Sequence, residues 1–262
     1  METNELILFI VSVLPVMVIG SYIYKKDKNK EPFKLLVKLF LGGIGSCFLV
    51  LLVSSILSSI FPIFSADTED LSLFELVIHV FIGVALVEES CKWIMLYLIS
   101  YNDKSFDELY DALLFAMFVA LGFACFENLL YVFQKGIGVG LVRAVLAVPG
   151  HVCDGMFMGY YLGLSKVASL NNRSDLKNKN LALSVLVPTI THGIYDYCLF
   201  SGSSIFILIF IAFVIYMYVY TIKRIKKISN IHRKMKYKDN YCPNCGREVD
   251  GNYCPICGRK NE

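Results

Sequence analysis

Three groups of ionisable residues lie inside strongly apolar stretches of this sequence, at residues 88–92, 123–128 and 192–196. The first reads Glu-Glu-Ser-Cys-Lys, the second ends in Glu-Asn, and the third reads His-Gly-Ile-Tyr-Asp. A charged side chain at the centre of a membrane helix costs about 2.5–3.5 kcal/mol on insertion scales, so such residues usually face one another at a working site. The pattern therefore predicts a membrane enzyme or a membrane transporter.

In the first group, one glutamate is expected to pair with the lysine of its own helix, and the other is left to contact a neighbouring helix. On a helix, Glu88 and Lys92 share a face at a spacing of four, and Glu89 reaches Lys92 at a spacing of three. A Glu-Lys pair within one helix accounts for one glutamate. The other is then expected to meet a partner on a neighbouring helix.

Further candidate partners follow in the next apolar stretches. Glu127 is followed by His151 and then by His192, and Asp196 lies four residues beyond His192, where it can orient the imidazole or join it as a ligand. At a rise of about 1.5 Å per residue, four of the candidates fall roughly 9 to 21 Å below one membrane boundary: Glu88, Glu127, His151 and His192. Two histidines and a carboxylate form the usual open catalytic zinc set, with a further glutamate as general base, so hydrolysis is the predicted chemistry.

The composition indicates that membrane helices position these groups. The chain has 262 residues, of which 56% are hydrophobic and 18% charged, and its net charge of +3 does not imply nucleic-acid binding. We predict an all-α, polytopic membrane bundle, because a span needs about 20 apolar residues. The seven predicted spans cover residues 6–24, 35–60, 74–100, 111–133, 142–168, 181–200 and 204–222. Arg143, at the outer end of the fifth span, is expected to extend to the interface, with contact to a substrate carbonyl as the alternative.

The basic residues predict the orientation in the cell membrane. They are concentrated after the first span, between the fifth and sixth spans and after the last span, whereas residues 67–70 carry acidic side chains. Because positive loops favour the cytoplasm, we expect the N-terminus outside and the C-terminus inside.

A four-cysteine segment follows the spans. Cys242-Pro-Asn-Cys245 and Cys254-Pro-Ile-Cys257 form two C-x-x-C pairs separated by eight residues. Four thiolates at this spacing can close a tetrahedral structural zinc site in a reducing compartment. A zinc ribbon is therefore predicted, with partner docking or regulation as its role. The other cysteines lie singly in apolar spans and are expected to be small buried hydrophobes.

The ordered motifs resemble the PrsW family of intramembrane metalloproteases. They are Glu-Glu-x-x-Lys at 88–92, Phe-x-x-x-Glu at 123–127, the His151 helix and His-x-x-x-Asp at 192–196. They are also similar to the broader superfamily that includes the CAAX prenyl endopeptidases, in which the second motif ends in His. The resemblance covers about residues 74–200.

The PrsW resemblance implies cleavage of a single-pass membrane protein, such as an anti-sigma factor, at the start of a signalling cascade. Glu88 and Glu89 would activate water, while Glu127, His151 and His192 would bind a catalytic divalent metal, zinc by expectation, or stabilise an oxyanion. Asp196 would orient His192. The prenyl endopeptidases imply an alternative in which a glutamate activates water without a metal.

The predicted organisation is a protease-like membrane domain at residues 1–222, a basic linker at 223–240 and the zinc ribbon at 241–260. Two other functions fit the same residues. Intramembrane Glu, His and Asp also relay ions or protons in transporters, although no pair of similar halves is evident in the sequence. A scaffold that recruits a cytosolic protein through the zinc ribbon would use the buried charges only for helix assembly.

Overall fold

The structure is a computed structural model that describes residues 3–230 together with Cys242 and Cys254. The described residues form helices and connecting turns, with no strand among them. The helices are α1 (Thr3–Lys26), α2 (Phe33–Ile60), α3 (Leu73–Ile78), a π-helix (His79–Leu86), α4 (Val87–Ser100), α5 (Leu109–Lys135), α6 (Ile137–Val145), α7 (Ala147–Leu170), α8 (Ser174–Phe200) and α9 (Ser204–Ser229). Two short 3-10 turns, Pro62–Phe64 and Thr68–Asp70, join α2 to α3.

The helices confirm a multi-pass membrane bundle. Within residues 3–230, five segments are long and apolar enough to span a bilayer: Asn4–Lys26, Phe33–Ile60, Leu109–Lys135, Ile137–Leu170 and Ser204–Ser229. The other two predicted spans are also helical throughout, and they carry Glu88, Glu89 and His192 in their interior. These spans are the continuous α3–π–α4 segment and α8. Their inward polar side chains form part of the site, to which α5 and α7 also contribute.

Helix α5 forms the centre of the bundle. In its most apolar 18-residue stretch, 89% of the residues are buried, whereas 17% are buried in the corresponding stretch of α1 and 22% in that of α9. Glycines let its neighbours approach closely: a Cβ on Gly122 would lie 1.9 Å from the Phe40 carbonyl oxygen of α2, and one on Gly159 of α7 would lie 2.3 Å from the Ala112 carbonyl oxygen. Small residues at crossings are typical of helix packing in membranes. These crossings fix the distance between α5 and α7, which both contribute to the site.

The π-helix directly precedes Glu88 and Glu89. Such segments are rare and are frequently found at functional sites. Two glycines accept aromatic rings there: a Cβ on Gly83 would lie 2.5 Å from Phe64, and one on Gly193 of α8 would lie 2.4 Å from Phe81. The contact between Phe81 and Gly193 brings α8 against this segment, and so places His192 beside the glutamates of α4.

Successive loops lie at alternate ends of the bundle, as the sequence predicts. At one end, Asn29 after α1 donates a 2.5 Å hydrogen bond to Glu108 before α5, and Lys166 near the end of α7 donates one to the Tyr101 carbonyl. At the other end, Thr68, Lys135 and Phe200 border the same cavity. The alternation of the helices therefore follows the predicted topology.

Glu31, in the loop between α1 and α2, makes the stability of the bundle sensitive to pH. Burial, followed by repulsion from Asp27 and Asp107, raises the pKa of the Glu31 carboxyl from 4.5 to about 7, against smaller opposing hydrogen bonds from Asp111 and Ser105. Because the pKa is raised in the folded state, protonated Glu31 favours folding. This stabilisation of the folded protein is fully present below the ordinary pKa of 4.5 and is lost as the pH rises through about 7.

We therefore expect Glu31→Gln to raise the melting temperature at about pH 8 by about 2–4 °C and to change it little at about pH 5, because the amide resembles the protonated acid. Thermal unfolding in detergent micelles at both pH values measures this difference. Exposed Glu69→Gln is the matched control. An equal effect of Glu31→Gln at both pH values would contradict the assignment.

Candidate active site

The core of the site is a buried cluster of opposite charges on α4. Lys92 Nζ lies 2.6 Å from Glu89 Oε1 and 3.6 Å from Glu88 Oε2, so both predicted contacts within the helix are present. Lys92 and Glu89 are each only 1% exposed. Glu88 is more open, and its Oε2 has no hydrogen-bond partner within the described residues. The two glutamates therefore differ: Glu89 is held tightly, and Glu88 is available.

Helix α8 joins this cluster through His192. Its Nδ1 lies 2.9 Å from Glu89 Oε1, and its Nε2 lies 3.4 Å from Asp196 Oδ2 and 3.9 Å from Glu88 Oε2. The imidazole is thus set between carboxylates of two helices. Its Nε2 is the nitrogen that faces Glu88.

Helices α5 and α7 contribute Glu127 and His151. Glu127 Oε2 lies 2.8 Å from His151 Nε2, and His151 Nδ1 lies 3.5 Å from Lys92 Nζ. The ring centroids of His151 and His192 are 5.6 Å apart at nearly perpendicular planes. All seven predicted catalytic side chains, including Asp196, are therefore connected by contacts across four helical segments.

Arg143 is placed differently from our expectation. Instead of extending to the interface, it points inward from α6, with its Nη2 2.8 Å from Glu127 Oε2 and its Nε donating a 3.0 Å hydrogen bond to Asn128 Oδ1. Its guanidinium also lies 4.2 Å from the centroid of the Tyr131 ring. The sequence did not reveal this contact, because α6 is a separate short helix rather than the start of the fifth span.

A cavity of about 450 Å³ connects the charged cluster to one end of the bundle. Glu88, Glu127, His151, His192 and Asp196 line its inner part. Its opposite end is bordered by Thr68, Lys135 and Phe200, at the face predicted to lie outside. The volume is within the range of small-molecule and substrate sites, so the cavity is large enough for water and for part of a peptide segment.

Four of these residues have oxygen or nitrogen atoms that can act as ligands of a divalent metal. The available atoms of Glu88, Glu89, His151 and His192 all lie within 4.8 Å of one another. Carboxylate oxygen and imidazole nitrogen are common ligands of zinc at catalytic sites. The ligand types and the spacing of these four side chains therefore fit a divalent metal ion. Glu127, a predicted ligand, lies outside the group of four and contacts His151 instead.

The cysteines of the bundle are all buried, which agrees with the prediction that they are small hydrophobes. They are Cys47, Cys91, Cys125, Cys153 and Cys198. In the tail, Cys242 and Cys254 are buried, whereas Cys245 and Cys257 lie outside the described residues. The zinc ribbon therefore stays a prediction.

The fold and site define a multi-pass helical membrane protein with a buried carboxylate and imidazole centre. Residues 31–222 match the PrsW family intramembrane metalloprotease. The chain therefore belongs to this family, as the ordered motifs predicted.

Curated relatives extend the match over most of the chain. The chain is 36% identical to Protease PrsW of Oceanobacillus iheyensis over 217 residues, which cover 83% of this chain and 94% of the relative. It is 30% identical to Protease PrsW of Clostridioides difficile over 236 residues, covering 88% and 95%. The corresponding protein of Bacillus subtilis is 29% identical over 221 residues, covering 84% and 94%. No solved structure gives a significant match. The chain is thus a membrane protease that acts on membrane-protein substrates.

Proposed function

We propose that the chain hydrolyses a peptide bond in or beside the span of a single-pass membrane protein, with Glu88 as the base that activates water. The observation that carries this proposal is the contrast between the glutamates. Glu88 lines the cavity, and its Oε2 makes no hydrogen bond within the described residues and lies 3.6 Å from Lys92 Nζ. Glu89 is 1% exposed and is held at 2.6 Å by Lys92 and at 2.9 Å by His192. A general base must reach the proton that it removes, and of these two carboxylates Glu88 is the one on the cavity wall.

In the proposed reaction, Glu88 takes a proton from water, and the resulting hydroxide adds to the scissile carbonyl carbon. The oxyanion then forms near His192, whose Nε2 N–H stabilises it. Glu88 returns the proton to the amide nitrogen as the C–N bond breaks, which yields a carboxylic acid and an amine, and a proton then passes from the acid to the amine. Lys92 keeps Glu89 ionised and in place, and Asp196 orients His192.

Glu89, His151 and His192 would hold a divalent metal, zinc by our expectation, and leave Glu88 as the base. When bound, such a metal would polarise the scissile carbonyl and acidify water. Glu127 then acts on His151 rather than on the metal, because its carboxylate already lies 2.8 Å from His151 Nε2.

The location of the cavity supports a cut near one end of the substrate span. The cavity reaches the face of the bundle opposite to the basic loops, which we assign to the outside of the cell membrane. An anti-sigma factor with one span is a substrate of the required architecture. In the same orientation, the predicted membrane domain at residues 1–222 is followed on the cytosolic side by the linker at 223–240 and the zinc ribbon at 241–260, which we propose as a docking site for a cytosolic protein.

The experiment that tests this function compares protein N-termini in native membranes by mass spectrometry. Cells that carry the intact chain are compared with cells that carry Glu88→Gln/Glu89→Gln at equal abundance. We expect N-termini in or beside a membrane span that appear only with the intact chain. Identical N-termini from the two strains, under conditions where the intact chain produces a cellular effect, would contradict proteolysis and favour transport or scaffolding.

A further inference from the structure

Helix α6 directs its single charged side chain toward the catalytic cluster. The sequence Ile-Gly-Val-Gly-Leu-Val-Arg-Ala-Val of α6 contains only Arg143 as an ionisable residue. The helix starts after Gly136, whose φ of +85° allows the sharp turn from α5, and it ends at the break before α7. Leu141 and Val145 on the same helix are exposed, whereas the Arg143 side chain is 14% exposed. The one polar side chain of α6 therefore faces the protein and not its surroundings.

Three side chains of α5 hold the guanidinium in one orientation. Glu127 pairs with Nη2, Asn128 accepts from Nε, and Tyr131 lies under the guanidinium plane. Asn128 is itself fixed, since its Nδ2 donates a 2.9 Å hydrogen bond to the Ser12 carbonyl of α1. This arrangement uses the planar fork of arginine, which a lysine does not reproduce.

Glu127 transmits this orientation to His151. The same oxygen, Oε2, lies 2.8 Å from Arg143 Nη2 and 2.8 Å from His151 Nε2. A carboxylate at Nε2 favours the tautomer with a proton on that nitrogen. The other nitrogen, Nδ1, then presents its lone pair toward Lys92 and the cluster.

We propose that Arg143 is a positioning residue for the hydrolytic reaction. It fixes Glu127, and Glu127 fixes the ring orientation and tautomer of His151. This inference rests on the proposed function in so far as His151 takes part in peptide hydrolysis. The competing interpretation is that Arg143 only anchors α6 to α5 and has no influence on the reacting groups.

The kinetic test compares Arg143→Gln and Arg143→Lys with the intact protein, reconstituted in liposomes with a single-pass substrate. We expect Arg143→Gln to lower kcat by about 10- to 100-fold, which is the usual effect of removing a residue that orients a catalytic histidine through its hydrogen-bond partner. KM should stay unchanged, and the melting temperature should fall by only about 2–4 °C, because the pair of Arg143 and Glu127 is partly exposed at the cavity. Arg143→Lys should recover part of kcat. Arg173→Gln, at an exposed ion pair with Asp175, is the matched control and should retain full activity.

A double variant separates positioning from anchoring. If Arg143 acts through Glu127, Arg143→Gln/Glu127→Gln should lose no more activity than Glu127→Gln alone. Independent, multiplicative losses would overturn the proposal. A loss of kcat that accompanies an equal fall in thermal stability for both Arg143 variants would also overturn it, in favour of anchoring.

A spectroscopic readout does not depend on activity. The chain contains four histidines, so ¹⁵N NMR of histidine-labelled protein in micelles can follow each ring, with His151 assigned from the signal lost in His151→Asn. We expect a fixed Nε2–H tautomer for His151, which becomes mixed in Arg143→Gln. An unchanged tautomer in that variant would overturn the inference. An Arg143-dependent tautomer in a protein that cuts no substrate would instead contradict the proposed function alone.

Discussion

Glu88→Gln is expected to lower the rate of peptide hydrolysis by about 10²–10⁴-fold, the usual contribution of a general base. The amide keeps the size of the side chain but does not accept the proton from water. Glu88 Oε2 makes no hydrogen bond within the described residues, and Lys92 keeps its closer 2.6 Å pair with Glu89, so this substitution should change the melting temperature only slightly. The measurement is the initial rate of substrate cleavage in liposomes together with thermal unfolding of the same preparation.

The control for this prediction is Glu5→Gln, an exposed glutamate in the first turn of α1. It should cleave at the rate of the intact protein. Full activity of Glu88→Gln, at equal abundance in the membrane, would exclude Glu88 as the base. Loss of activity only in Glu89→Gln would transfer that role to Glu89.

Lys92→Met is expected to have the largest effect on stability. It leaves Glu89 at 1% exposure without the ammonium that lies 2.6 Å from its Oε1. Removal of one partner from a buried ion pair costs about 3–5 kcal/mol, since the other charge stays buried and uncompensated. Unfolding in micelles should therefore occur at a much lower temperature, and activity should be lost.

The double variant Lys92→Met/Glu89→Gln identifies the cause. It removes both charges, and replacement of a whole buried pair is often close to neutral for stability. We expect thermal stability to recover while activity stays absent, because the cluster around His192 is no longer complete. A Lys92→Met protein as stable as the intact chain would show that Glu89 does not depend on Lys92.

The local part of the site could be predicted from the sequence. Glu88, Glu89 and Lys92 lie on one continuous helix, so the spacing alone determined both contacts that the structure contains. The same holds for His192 and Asp196, four residues apart on α8. The seven apolar stretches are helical for the physical reason that backbone groups in a bilayer must bond within their own segment.

The parts that depend on tertiary packing could not be predicted in this way. The π-helix before Glu88 packs against Phe64 and α8, and neither contact has a signal in the local sequence. Arg143 resembled an interfacial arginine because residues 142–168 were predicted as one continuous span. The structure divides this stretch into α6 and α7, and Pro149 in the first turn of α7 is the local signal of that break. The contact of Glu127 with His151 depends on the crossing of α5 and α7, which glycines such as Gly159 allow.

The most direct test of the proposed hydrolysis uses purified protein in liposomes with the single-pass protein that the N-terminal comparison identifies. Mass spectrometry of the products measures where the bond is cut and whether the cut requires Glu88. We predict a single cut near the end of the substrate span that meets the cavity mouth at Thr68, Lys135 and Phe200, with no cut by Glu88→Gln. Equal cleavage by the intact protein and by Glu88→Gln would contradict the proposed active site.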